Sequence, residues 1–164
     1  VESTNELIQV NFMITKALNQ VTETCLNKLD EIIQTNVYDG YHGNWEEAGM
    51  RTGQFLASWE KTMAKETVMN KIQTEIYQNL DTMITYPELL VHTDINGEDD
   101  RADIAQVLET GEGFNFGQRE GQPAHYWSDF MVWVNANVSS LFKEALLAQG
   151  LEYTGEVGII ETEG

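Results

Sequence analysis

An α+β fold, with a long N-terminal helix and a C-terminal helix packed on a small antiparallel sheet, follows from three features of the 164-residue sequence. Apolar residues recur at helical spacing through roughly the first thirty positions. The same spacing returns from Tyr126 to Leu146, and strict alternation marks a short stretch between them. A period near 3.6 buries one face of a helix, whereas a period of two buries one face of a strand.

The first element opens on Ser3-Thr4-Asn5-Glu6, a serine three residues ahead of a glutamate, which has the form of a capping box. Ile14, Leu18, Val21, Cys25, Leu29 and Ile32 then follow at intervals of three and four, with neither Gly nor Pro between them. These spacings predict an amphipathic helix of about 25 to 30 residues, ending near Asn36. Val37 to Asn44, rich in Gly, Asn and Asp, reads as a loop.

Gln54 to Glu60 alternates loosely and carries bulky aromatics, as strands do. Asn70 to Tyr77 alternates cleanly, with Ile72, Thr74 and Ile76 on one face. The two read as an antiparallel hairpin connected through the charged Lys61–Glu66 stretch. A helix must cover one side, because two strands alone are marginal in water. Tyr86-Pro87 interrupts any regular element. Ala102 to Glu109 predicts a short helix with Ile104, Val107 and Leu108 inward and Gly111 closing it. The glycine-rich Gly111–Gly121 stretch reads as a loop. Tyr126, Phe130, Trp133, Val134, Val138, Leu141, Phe142, Ala145 and Leu146 define the last helix, stopping at Gly150. Residues 1–150 therefore read as one α+β domain, and 151–164, with four glutamates and three glycines, as an acidic tail that is floppy in a monomer.

Composition narrows the function. With 41% hydrophobic residues the chain can build a core. Twenty-seven acidic residues against nine basic ones give a net charge of −18. Such a chain has no electrostatic footprint for duplex DNA, whose affinity rests on Lys and Arg neutralising phosphates. The excess is uneven: Tyr86–Glu120 holds nine acids against two arginines, and Leu151–Gly164 four acids against no base. Its simplest meaning is a solvated surface; its functional meaning is a surface that repels passing nucleic acid. No apolar run approaches the ~20 residues needed to span a bilayer. Val1–Asn5 lacks the charged-then-apolar pattern of a signal peptide, so synthesis in a cytoplasm is expected.

The candidates for chemistry fall away in turn. Asp94-Ile-Asn96-Gly97-Glu98-Asp99-Asp100 suggests a calcium loop, but its glycine stands fourth rather than sixth, and the twelfth position is Ala105. His42, His92 and His125 lie in separate loops with no zinc spacing. Cys25 sits on the apolar face of the first helix and reads as a small buried hydrophobe. Nucleophile elbows and phosphate-binding glycine loops are absent. Carboxylate pairs are too abundant for any one to be informative. No active site, metal or cofactor is expected. Trp59 and Trp133 fit core positions, whereas Trp45, beside Glu46 and Glu47 in a polar loop, either caps the helix or meets another subunit.

One set of motifs remains. Val37-Tyr38-Asp39-Gly40-Tyr41 is followed by Arg51-Thr52-Gly53-Gln54-Phe55-Leu56-Ala57-Ser58-Trp59, then Glu75-Ile76-Tyr77-Gln78-Asn79, then Asp103-Ile104-Ala105 through Leu108-Glu109-Thr110-Gly111, then Pro123-Ala-His-Tyr-Trp127 leading into the closing helix. In this order, over roughly residues 10 to 153, the chain resembles the tail-completion (head–tail joining, minor tail component, neck) proteins of tailed phages. Phe55 stands where that family's strand has leucine, only Pro123 represents its proline-rich entry to the last helix, and the tail after Tyr153 lies outside its pattern.

The resemblance implies a structural virion protein: a ring of copies at the neck or tail end, touching connector and tail-tube proteins, with DNA passing and not bound specifically. Tyr38, Asp39, Tyr41, Arg51, Thr52, Gly53, Trp59, Glu109 and Gly111 are the motif positions it marks for structure and assembly. It also implies that the 37–50 and 86–121 loops and the tail make the contacts. The competing class is an acidic protein-binding module, such as an inhibitor that mimics the charge of DNA. A carboxylate hydrolase is a third, and no pair of acids singles itself out for it.

Overall fold

The computed structural model describes residues 2–39, 53–67, 71–85, 96, 98–112, 122–154 and 159. Its elements run in the order α1 (Glu2–Ile33), a π-helical stretch (Gln34–Asp39), α2 (Gln54–Ala57), β1 (Trp59–Lys61), β2 (Lys65–Thr67), β3 (Lys71–Gln73), β4 (Ile76–Gln78), a 3-10 turn (Leu80–Thr82), α3 (Arg101–Thr110) and α4 (Tyr126–Leu147). The architecture is α+β, with a long N-terminal helix, a C-terminal helix and small antiparallel sheets.

Two compact units divide the chain. The first takes Val1–Asn27, Lys61–Ile76 and Met131–Gly164; the second takes Lys28–Glu60 and Tyr77–Phe130. In the first unit the buried apolar side chains include Ala17, Val21 and Cys25 of α1, Ala64, and Val134, Phe142 and Leu146 of α4. Burial pushes the Cys25 thiol up to about 11, since a thiolate loses its hydration there. Asn19 accepts the Ala64 N–H at 2.7 Å, Lys61 pairs with Glu23 at 2.7 Å, and Gln149 donates to the Met13 carbonyl at 3.1 Å.

In the second unit Leu29, Ile33, Val37, Phe55, Met83, Leu108, Tyr126 and Phe130 are buried. Ser58, fully buried, donates to the Phe55 carbonyl at 2.7 Å and accepts from Gln78 at 3.2 Å, so its hydroxyl is satisfied.

Several expectations need correction. The first helix begins at Glu2, one residue ahead of Ser3, so Ser3 does not stand outside the helix as a capping box requires. At its other end the chain does not open into a loop at Val37. It continues to Asp39 as a π-helix, a wider turn that buries Val37.

Gln54–Ala57 is a helical turn and not a strand. The Ala57 N–H reaches back to Gly53 O at 3.1 Å, and Phe55, Ser58 and Trp59 turn inward while Ala57 is exposed. Only β1 keeps the extended form, and it is hydrogen-bonded to β4. The predicted alternation survives in burial over Lys71–Tyr77, but β3 and β4 are separate strands. Thr62 breaks the ladder: its hydroxyl accepts from the Glu75 N–H at 3.1 Å, and its carbonyl accepts from the Thr74 hydroxyl at 2.8 Å. β2 pairs with β3 antiparallel, Lys65 opposite Gln73 and Thr67 opposite Lys71. Lys65 and Glu66 are therefore part of a paired strand, and Lys61–Glu66 is not the connection.

The helix expected over Ala102–Glu109 spans Arg101–Thr110 and ends at Gly111 in the left-handed region, with φ 72°. The last helix runs to Leu147 and turns until Gly150. The Gly113–Gly121 stretch, Trp45, His42 and His92 lie outside the described residues.

Candidate functional site

Of the nine motif positions, Tyr41, Arg51 and Thr52 lie outside the described residues. The other six all fall in the second unit. Three of them, Trp59, Glu109 and Gly111, gather where the chain enters α4.

Entry into α4 is built by α3 and the residues after it. Gly111 adopts φ 72°, a conformation that L side chains rarely hold. A Cβ there would lie 2.7 Å from Gln122 C and from Pro123 N, so the returning backbone occupies the space a side chain would need. That close approach lets the Ala124 N–H donate to Leu108 O at 2.8 Å and the His125 N–H to Glu109 O at 3.4 Å.

The Glu109 side chain then reaches the first turn of α4. It accepts the backbone N–H of Trp127 at 2.7 Å and of Ser128 at 3.1 Å, and the Ser128 hydroxyl also donates to it. The first N–H groups of a helix have no partner within it, and the helix dipole favours an anion there. Glu109 supplies both needs. The N-terminus of α4 is thus filled by the protein's own carboxylate and is no open anion site.

Trp59 stacks on Trp127, centroids 5.5 Å apart and planes at 18°. Phe55 meets Trp59 edge-on at 6.2 Å and Tyr126 at 5.3 Å, and Phe130 lies 5.4 Å from Trp127. Such ring pairs add ~0.5–1.5 kcal/mol beyond the area they bury. Trp59 Nε1 is buried without a hydrogen-bond partner, so the indole is held by its stacking faces alone. Burial, with the charge of Glu109, raises the Tyr126 phenol well above its usual range. It stays neutral, donates to Ala105 O at 3.3 Å and packs against Phe55 and Trp59.

The remaining motif positions are further fittings. The Leu56 N–H donates to the Tyr38 hydroxyl at 3.4 Å, and Gly53, at φ 71°, opens α2. Asp39 is exposed and accepts from Gln34 at 2.7 Å within the π-helical stretch, apart from the others.

Two fittings escaped the sequence reading. Asn36, taken only as a helix end, donates to Ala124 O at 3.0 Å and to Asp129 at 2.8 Å. Arg101 donates to the carbonyls of Leu80 at 3.2 Å and Met83 at 3.1 Å while pairing with Asp99 at 2.6 Å. The hydrogen bond to Asp99 raises the guanidinium further above its already high range. Asn36 had a signal in sequence, a polar residue at the end of an apolar stripe; Arg101 had none.

Chemically the arrangement joins elements through groups that are already engaged with one another. Glu109 is committed to three donors, and among the described residues no three His, Cys, Asp or Glu side chains come together to hold a metal ion. His125 is exposed, in the left-handed region at φ 53°. No helix among the described residues is long and apolar enough to cross a membrane. No protein-family model, no curated protein and no solved structure matches the chain.

Proposed function

We propose that this chain is a non-enzymatic structural protein of a tailed-phage virion, working by assembly with copies of itself and with its neighbours at the neck, head–tail junction or tail end. The observation that carries the reading is the ordered set of motifs from Val37 to Trp127. The geometry adds support: Trp59, Glu109 and Gly111 meet at the entry to α4 and tie its first turn to the elements before it.

In this reading the work is mechanical. A stiff body presents complementary surfaces, and repetition by rotation closes a ring. Acidic residues facing a channel let DNA pass without sticking, because phosphate contacts need basic side chains, and this chain has nine of them against 27 acids. The test is genetic. A phage whose copy of this gene is interrupted is expected to accumulate separate heads and tails, restored to infectious particles by the protein supplied in trans. Full-titre, intact particles from the interrupted gene would overturn the reading.

The net charge of −18 favours a second reading, an acidic module that occupies the DNA-binding surface of a basic protein. Tight binding to a nuclease encoded beside it, with loss of nuclease activity, would select this alternative.

A further inference from the structure

Along α1 runs an open groove of about 600 Å³, lined by Phe12, Thr15, Lys16, Asn19, Gln20 and Glu23 among others. Apolar surface is exposed at and before its start: Phe12 is 68% exposed, Ile8 62% and Leu7 60%. The stretch from Lys61 to Ala64 is tied to this face through Lys61–Glu23 and Ala64–Asn19, and Met63 within it is 66% exposed.

The charge here departs from that of the whole chain. Leu7–Thr24 contains one lysine and one glutamate, so its net charge is zero. An even spread of −18 would place about two negative charges on those 18 residues. Glu23 is neutralised by Lys61, whereas Lys16 makes no ion pair with any described residue. The groove therefore offers apolar surface around a cation that no described acidic residue pairs with, within a molecule that is acidic overall.

An occupant must bring apolar surface and negative charge together. Nucleic acid brings charge with little exposed apolar surface, and a basic protein is drawn to the acidic remainder and repelled by Lys16. A second copy of this chain brings both: 27 acidic residues and a further set of exposed apolar side chains that includes Val132 and Leu147. We infer that the α1 groove, centred on Phe12 and Lys16, is a contact surface between copies of this protein. The inference rests on the reading that the chain works by self-assembly.

Eighteen helical residues extend about 27 Å and present a face about 10 Å wide, well below the ~800 Å² per partner of a stable interface. Association through the groove alone is consequently weak and concentration-dependent.

Sedimentation velocity on the purified chain from about 1 to 500 µM, a range that brackets weak association, tests this with three variants whose folding is checked by circular dichroism. Wild type is expected to form heavier species as concentration rises. Phe12→Glu is expected to weaken that association about tenfold or more, and Lys16→Glu several-fold, while Ile84→Glu, at an exposed position of the second unit, leaves it unchanged. No effect from Phe12→Glu, or equal effects from Phe12→Glu and Ile84→Glu, would overturn the groove as the interface and leave self-assembly standing. A wild-type chain that stays monomeric throughout, whatever else can be shown to fill the groove, would overturn both.

Discussion

The two compact units differ in how many large apolar side chains they leave exposed. The second unit, Lys28–Glu60 with Tyr77–Phe130, turns its aromatics and polar groups inward. Phe55, Tyr126 and Phe130 are buried, Trp59 and Trp127 stack, and Glu109, Asn36 and Arg101 each hold two or more backbone or side-chain partners. The first unit buries Ala17, Val21, Cys25 and Ala64 together with Val134, Phe142 and Leu146, and leaves many other large apolar side chains outside. Of the ten exposed large apolar side chains among the described residues, eight belong to it, Leu7, Ile8, Phe12 and Val132 among them; Tyr77 and Ile84 are the two in the second unit. One unit therefore has the character of a framework, and the other carries most of the exposed large apolar side chains among the described residues. Exposed apolar groups gathered in one region mark interaction sites more often than scattered ones do.

That contrast can be broken most forcefully in the second unit. Phe55→Ala removes a buried ring with two edge-to-face partners and is expected to lower unfolding free energy by ~3–5 kcal/mol. Gly111→Ala forces a Cβ against Gln122 and Pro123 at a positive φ and is expected to lower it by ~3 kcal/mol. Urea denaturation reads both. If either variant were as stable as wild type, the joint at the entry to α4 would not be the framework described here.

Glu109→Gln keeps the shape of the α4 cap but removes its charge, and a loss of ~1–2 kcal/mol is expected by the same measurement. Its effect should shrink as salt rises, since the interaction of a charge with the helix dipole is screened. An undiminished loss at high salt would assign the effect to hydrogen-bond geometry alone.

A smaller effect comes from Cys25 in the first unit. Its thiol has a folded value of about 11 against an ordinary 9.0, so the folded state holds its proton more tightly. The associated stability is complete below pH 9 and is lost as pH rises from 9 to about 11. Cys25→Ala should flatten that part of the stability profile, measured by urea midpoints across the alkaline range. The smallest effect is expected at Phe12: being exposed, Phe12→Glu should change unfolding free energy by less than ~0.5 kcal/mol. A large loss there would mean that the first unit's apolar surface already supports its own fold.

Much of the fold was legible because long periodic segments carry their own evidence. Leu29 and Ile32–Ile33 continue the stripe that begins near Ile14, and Phe130, Val134, Phe142 and Leu146 do the same for α4. Short segments did not behave this way. Over seven residues, Phe55, Ala57 and Trp59 fit a strand as well as Phe55, Ser58 and Trp59 fit a helical turn. Only the burial of Ser58 and the exposure of Ala57 separate them. The break between β3 and β4 was hidden for another reason: it depends on the Thr62 hydroxyl, and a side chain that replaces a ladder hydrogen bond leaves no mark on hydrophobic alternation.

The candidate site was half legible. Gly111 announces a left-handed helix end, but nothing in the spacing of Glu109 and Trp127 says that one caps the other's helix. That pairing depends on the turn back through Gln122 and Pro123, which sequence distance alone does not reveal.

The most direct measurement is electron microscopy of virions carrying a dense label on the C-terminal tail of this chain. Label is expected in a compact cluster at the neck or tail end, on the particle axis, with none on the capsid shell. Purified particles free of label, from cells in which the tagged protein is made in full, would contradict a role in the virion.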